Sequence, residues 1–174
     1  METASAAVSP VGRARIVALL VCAGLLLAAC GGSGVAPRVG TAGERQWILN
    51  ARSFIGTLES DVLLSTVGGA NLASARRALT DTSAVMTMLV AYDLFGDCGP
   101  ALANAGTPGP AGNPVQRTLI AACGRLESAS ALFQTAMTRH AARPLLAATR
   151  MVLTVEPLLT KASSELAALR GGAG

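Results

Sequence analysis

Apolar residues recur at alternating spacings of three and four along most of residues 44–170, and this spacing constrains the fold more than any other feature. It places the apolar side chains on one face of an α-helix, whereas a strand would need a period of two. The chain is therefore predicted to be all-α. The expected buried positions are Ile48, Ala51, Ile55, Leu58, Val62, Leu72, Ala75, Leu79, Thr82, Met86, Leu89, Val115, Leu119, Ala122, Leu126, Ala129, Phe133, Ala136, Leu145, Ala148, Val152, Val155, Leu159, Ala162, Leu166 and Leu169.

Glycine, proline and capping residues divide this pattern into four helices. Asn71 is expected to cap the second helix, and the pair Asn113-Pro114 indicates the start of the third, with asparagine as the cap. Pro157 should kink the fourth helix or split it in two. Residues 97–113 are rich in glycine and proline and are predicted to form a loop. The predicted helices cover residues 44–66, 72–96, 114–140 and 144–170.

Four helices of this length, joined mostly by short connections, favour an antiparallel up-down four-helix bundle. Residues 44–174 are expected to form this single helical domain. A chain of that size can bury a core of its own.

A short apolar segment precedes the helical region. Residues 16–29 carry no charge and follow Arg13 and Arg15. A helix of that length spans about 21 Å, which is short of a hydrocarbon core of about 30 Å. The layout predicts a secretory signal peptide. An uncleaved anchor and an ordinary signal peptide without lipidation are the alternatives.

The end of this segment reads Leu27-Ala28-Ala29-Cys30 and resembles the lipobox of bacterial lipoproteins. The resemblance implies that a lipoprotein signal peptidase removes residues 1–29 and that the Cys30 thiol carries a diacylglyceryl group, often with a further N-linked fatty acid such as palmitate. Residues 30–43 would then be the lipidated cysteine and a flexible tether. The mature protein is expected to be exported and lipid-anchored on the outer face of the cell membrane.

The four cysteines fit this interpretation. With Cys22 in the removed segment and Cys30 lipidated, Cys98 and Cys123 remain as an even pair in an oxidising compartment. They are predicted to form a disulfide, with two unpaired buried thiols as the alternative. Two distant cysteines and one histidine do not resemble a zinc site, so no metal and no cofactor are predicted.

Three residues are candidates for catalysis or cation binding. His140 is the only histidine, and it lies at the end of the third predicted helix without a neighbouring acid or nucleophile. Asp93 and Asp97 share a helix face, but they lack the Glu-x-x-His partners of bundle metal sites. All three are expected to be structural, and the chain is predicted not to be an enzyme.

The net charge of +4 is small and scattered, which argues against a nucleic-acid partner. Arg76, Arg77, Arg139 and Arg143 are expected to lie on solvated faces. Arginine outnumbers lysine 13 to 1, a bias that indicates a high-GC bacterial genome.

Two segments, residues 85–90 and 151–159, are more apolar than a single buried stripe requires. Such helices either fill a core or present a second apolar face to a partner. We therefore expect a non-catalytic binding or structural role through protein contacts at the cell envelope. The alternative is a carrier that shields an apolar ligand or lipid within the bundle. No ligand-binding residue is assigned.

Overall fold

The structure is a computed structural model. It describes residues 41–171, with side chains described as far as Leu169. All the secondary structure in this range is helical, which confirms the all-α prediction. The signal peptide, Cys30 and most of the predicted tether lie outside the described residues. The seven α-helices of the described range are α1 (Ala42–Ser65), α2 (Leu72–Thr80), α3 (Thr82–Gly96), α4 (Cys98–Asn104), α5 (Asn113–Arg139), α6 (Ala142–Leu153) and α7 (Glu156–Gly171), with short 3-10 helices at Thr66–Gly68 and Pro110–Gly112.

Helix α1 begins two residues before its predicted start because a capping box fixes its first turn. The Thr41 hydroxyl accepts a hydrogen bond from the Glu44 N–H at 3.1 Å, and the Thr41 N–H donates to the Glu44 carboxylate at 2.8 Å. This reciprocal pair satisfies two backbone groups that the helix leaves free. All five predicted core positions of α1 are buried, together with Trp47.

The prediction of one helix over residues 72–96 is wrong, because Asp81 divides it into α2 and α3. The backbone of Asp81 is extended, and its carboxylate accepts hydrogen bonds from the N–H groups of Ser83 and Ala84 at 2.9 and 3.2 Å. The break resets the helical phase. Thr82, Met86 and Leu89, predicted to be buried, are exposed, and the buried residues of α3 are Ala84, Met88, Ala91, Tyr92 and Phe95.

The predicted loop over residues 97–113 is also largely wrong, since it contains α4 and a 3-10 helix. Helix α4 packs along α5, and the Gly99 N–H donates to the Glu127 carboxylate at 2.9 Å. The Asn50 amide donates to the Ala105 carbonyl at 3.1 Å and so ties the end of α4 to α1. Asn113 does not cap α5 as predicted, because it is already the first residue of that helix.

Helix α5 occupies the centre of the described domain and packs against α3, α4, α6 and α7. All seven of its predicted core positions are buried. On one side the Phe133 ring stacks almost parallel on Tyr92, with ring centroids 4.4 Å apart. On the other side the Arg125 guanidinium donates to the Thr154 carbonyl at 2.8 Å.

The fourth predicted helix is split into α6 and α7 at residues 154 and 155, just before Pro157. Proline has no N–H and its ring clashes with the preceding turn, so the helix restarts there. The apolar spacing nevertheless continues through the break, and all eight predicted positions from Leu145 to Leu169 are buried. Helix α7 also packs against α1. No helix between residues 41 and 171 combines the length and apolar character needed to cross a bilayer.

Candidate functional site

The outer side of α3 exposes four large apolar side chains. Met86 is 58% exposed, Leu89 40%, Val90 57% and Leu94 46%. Their spacing places them on one side of the helix, while Met88, Tyr92 and Phe95 point into the core. Helix α3 is therefore apolar on two sides. We call the exposed set, Met86, Leu89, Val90 and Leu94, the α3 face.

Acidic residues lie on the same side of α3 as the α3 face. Asp93 and Asp97 are exposed, and neither forms an ion pair in the described domain. Helix α3 carries no lysine or arginine, although the chain as a whole is cationic. No three His, Cys, Asp or Glu side chains between residues 41 and 171 come together as possible metal ligands. The two aspartates thus add negative charge to an apolar surface.

The structure joins Cys98 and Cys123 by a disulfide, the pairing that the cysteine count predicts. Their Cα atoms are 5.2 Å apart and both residues are buried. The bond connects the first residue of α4 to the middle of α5, next to the hydrogen bond between Gly99 and Glu127. Disulfide and hydrogen bond together hold α4 against α5.

His140 lies in the turn between α5 and α6 with a left-handed backbone, φ 48° and ψ 42°. The N–H of Ala141 donates to the Ala136 carbonyl at 3.0 Å, which closes the end of α5. Glycine is the usual residue in this conformation, so histidine here costs backbone energy. Asp97 directly follows the C-terminal end of α3, where a Cβ on Gly96 would lie 3.3 Å from the Ser130 hydroxyl of α5. His140 is ten residues beyond Ser130, about 15 Å along α5. The candidate residues do not form one catalytic cluster.

His140 does line a groove between α2 and the start of α6, with a volume of about 480 Å³. Arg76 and Arg143 line the same groove and are exposed, as expected for solvated faces, so the structure brings together two charges that are distant in sequence. More than 60 residues separate Arg76 from Arg143, and no local pattern links them. We call this site the α2–α6 groove. Its other lining residues are Leu72, Leu79, Thr80, Ala141 and Ala142.

Within the described residues, three buried side-chain polar atoms have no hydrogen-bond partner: the Trp47 indole nitrogen, one Asp61 carboxylate oxygen and the Tyr92 hydroxyl. Burial raises the pKa of the Asp61 carboxyl above its ordinary value. Burial also raises the pKa of Tyr92 to about 12. Neither Asp61 nor Tyr92 lines a described groove.

The other large grooves also open to the surface. One of about 390 Å³ lies between α1 and α7, and one of about 370 Å³ lies between α4 and α5. The second includes Ile120, which is 56% exposed. These grooves are partly open seams between neighbouring helices rather than enclosed chambers.

Comparisons with protein-family models, curated proteins and solved structures gave no match for the chain. Its function is accordingly inferred from the α3 face, the α2–α6 groove and the first 30 residues of the sequence.

Proposed function

We propose that the chain is a bacterial lipoprotein, exported and held on the outer face of the cell membrane by lipid on Cys30. The support is the sequence Leu27-Ala28-Ala29-Cys30 at the end of an apolar segment that follows two arginines. Two acyl chains on one cysteine anchor a protein stably, whereas a single chain binds a membrane only marginally. The Cys98–Cys123 disulfide fits this location, because disulfides persist in oxidising compartments outside the cytoplasm.

The helices are proposed to form an antiparallel four-helix bundle with two interrupted members. Helices α1 and α5 are continuous, α2 with α3 forms the second member, and α6 with α7 forms the fourth. The packing supports this arrangement, since α1 contacts α3 and α7, and α5 contacts the same two helices from the other side. Helix α4 is an addition on α5 between the second and third members.

The role proposed for this domain is non-catalytic binding of a protein partner at the α3 face. One observation carries the proposal: Met86, Leu89, Val90 and Leu94 are all 40% or more exposed on a single side of α3. Several large apolar side chains exposed on one side of a helix are typical of interaction sites. Asp93 lies among these residues and favours a partner that places lysine or arginine opposite it, because complementary charges select partners and speed association. The role requires no metal or cofactor.

The carrier alternative has less support. A carrier of this size would shield its ligand in an apolar cavity between helices. The central turns of α3 and α6 are instead occupied by packed side chains, including Met88, Tyr92, Leu145 and Val152, each no more than 1% exposed. The large described grooves open to the surface.

Lipidation is tested by replacing single cysteines in the full chain and labelling cells with a fatty-acid analogue. The Cys30→Ala variant should lose the label and accumulate as the unprocessed precursor. The Cys22→Ala variant is the matched control, and it should be labelled and processed like the parent. Label retained on Cys30→Ala would contradict the proposal.

The α3 face is tested by photo-crosslinking in intact cells. A photoreactive residue at Val90 should give a discrete adduct, whereas one at Leu49, which is 52% exposed on α1, should not. Adding Leu94→Asp should abolish the Val90 adduct, since a charge in a desolvated contact is costly. The partner peptide in the adduct should combine apolar residues with lysine or arginine. Equal adducts at Val90 and Leu49, or none at Val90, would refute this use of the surface.

A further inference from the structure

Basic residues gather at the end of the described domain that lies farthest from Thr41. Helix α1 has 24 residues and is about 36 Å long, so Thr41 and the start of α2 lie at opposite ends. Helix α5 starts beside Trp47, since a Cβ on Gly112 would lie 2.7 Å from the Trp47 ring, and α5 therefore ends at the far end too. Helix α2 and the turn between α5 and α6 lie at this far end. Their basic residues include Arg76, Arg77, Arg139, His140 and Arg143.

The α2–α6 groove concentrates this charge in one place. Arg76 enters its lining from α2, while His140 and Arg143 belong to the opposite wall. No aspartate or glutamate lines the groove. Leu72 and Leu79 contribute apolar surface to it. The lining thus combines cationic side chains with apolar ones.

The charges of this groove are not neutralised within the described domain. The ion pair found there is Lys161–Glu165, and the Arg76 and Arg143 guanidinium groups have no carboxylate within 4.0 Å and no hydrogen-bond partner. Two unpaired guanidinium groups that line one groove repel each other. An anion bound between them would relieve that repulsion and use the planar donor forks that arginine offers.

The first turn of α6 adds backbone donors to the same place. Ala141 precedes α6 in an extended conformation and provides no side-chain cap. The N–H groups of Ala142 and Arg143 therefore lack an intrahelical acceptor, and both residues line the groove. These N–H donors add to the preference for a bound anion that the two arginines create.

From this arrangement we propose that the α2–α6 groove binds an organic phosphate monoester, with the phosphate between Arg76 and Arg143 and a small apolar group on Leu72 and Leu79. Two guanidinium groups, an imidazole and two N–H groups provide more donors than the two oxygens of a carboxylate can use, whereas a phosphate monoester has three free oxygens. A groove of about 480 Å³ also exceeds the size of inorganic phosphate alone. This site is separate from the α3 face and does not depend on the proposed partner.

The test uses the full chain in neutral detergent micelles, with phenyl phosphate as the probe in isothermal titration calorimetry. The double variant Arg76→Gln/Arg143→Gln should bind phenyl phosphate at least tenfold more weakly than the parent. Arg117→Gln removes an exposed arginine elsewhere on α5 and should leave binding unchanged. Circular dichroism verifies that both variants remain helical. Absent binding by the parent chain, or an equal loss in Arg117→Gln, would overturn the proposal for soluble phosphates.

Two further probes separate the possible sources of the phosphate. Dihexanoyl phosphatidic acid presents the same monoester as a lipid headgroup, and benzoate presents a carboxylate on the same ring as phenyl phosphate. Binding of phosphatidic acid alone, lost in the double variant, would assign the site to a lipid headgroup. Binding of phenyl phosphate, lost in the same variant, would assign it to a soluble ester. Benzoate binding as tight as phenyl phosphate, or no binding of either phosphate, would overturn the phosphate assignment.

Discussion

Removing the Cys98–Cys123 disulfide should cost this domain much of its stability. The two cysteines are 25 positions apart, so the bond closes a loop of about 26 residues in the unfolded chain. The chain-entropy relation for a loop of this length gives a stabilisation of about 3.5 kcal/mol at 25 °C. Both residues are buried, but alanine is only slightly smaller than cysteine, so the cavity contribution should be minor.

Urea unfolding followed by circular dichroism measures this loss. With a denaturant slope of about 2 kcal/mol per molar, the midpoint of Cys98→Ala/Cys123→Ala should lie about 1.7 M below that of the oxidised parent. Each single variant should lose nearly as much as the double, because either substitution removes the same bond. A double variant that loses twice as much as each single, or a midpoint shift under about 0.5 M, would refute the reasoning.

Three further predictions concern stability, two at glycines and one at a buried acid. Gly124→Ala should stabilise the domain by about 0.5–1 kcal/mol, because a Cβ in this exposed helical position meets nothing within 4 Å. Gly68→Ala should instead lower the thermal midpoint, since its Cβ would lie 2.8 Å from the Thr149 hydroxyl, and thermal unfolding of both variants checks the contrast. Asp61→Asn should raise the melting temperature at pH 7: burial raises the folded-state pKa of this carboxyl, so the charged form penalises the folded state above that pKa. The gain should shrink as the pH falls through the folded pKa towards 3.8, and a gain independent of pH would contradict this explanation.

Periodic spacing predicted the core well wherever a helix runs without interruption. In α5 every predicted position from Val115 to Ala136 is buried, because a single phase holds over 27 residues. In α6 and α7 the phase survives the break before Pro157. These helices are amphipathic enough for the sequence to determine which face they bury.

The apolar spacing gave wrong core positions where a helix cap competed with it. Leu79, Thr82 and Met86 continue the apolar rhythm, but Asp81 caps a new helix, and a side-chain cap outweighs a weak periodicity. The aspartate at position 81, a residue type that often caps helices, was the sequence feature that indicated this break. The exposed α3 face follows from the resulting change of phase.

Helix α4 could not be predicted from local preference. The residues Cys98, Gly99 and Pro100 are typical of a loop, and the helix is held by contacts with α5 that are distant in sequence. The α2–α6 groove is similar, since Arg76 and His140 meet only through tertiary packing. Sites assembled from two distant segments leave no local pattern to recognise.

The burial of Trp47 gives the protein an internal optical reporter. It is the only tryptophan of the chain and is 2% exposed, with the Gly112 backbone against its ring. Its emission should be that of an indole in a dry environment, and it should move to longer wavelength when residues 109–112 separate from α1. A red shift on reduction of the disulfide, without loss of helical dichroism, would reveal local opening at this end of the domain before global unfolding. One fluorophore can thus distinguish the separation of residues 109–112 from α1 from unfolding of the whole domain.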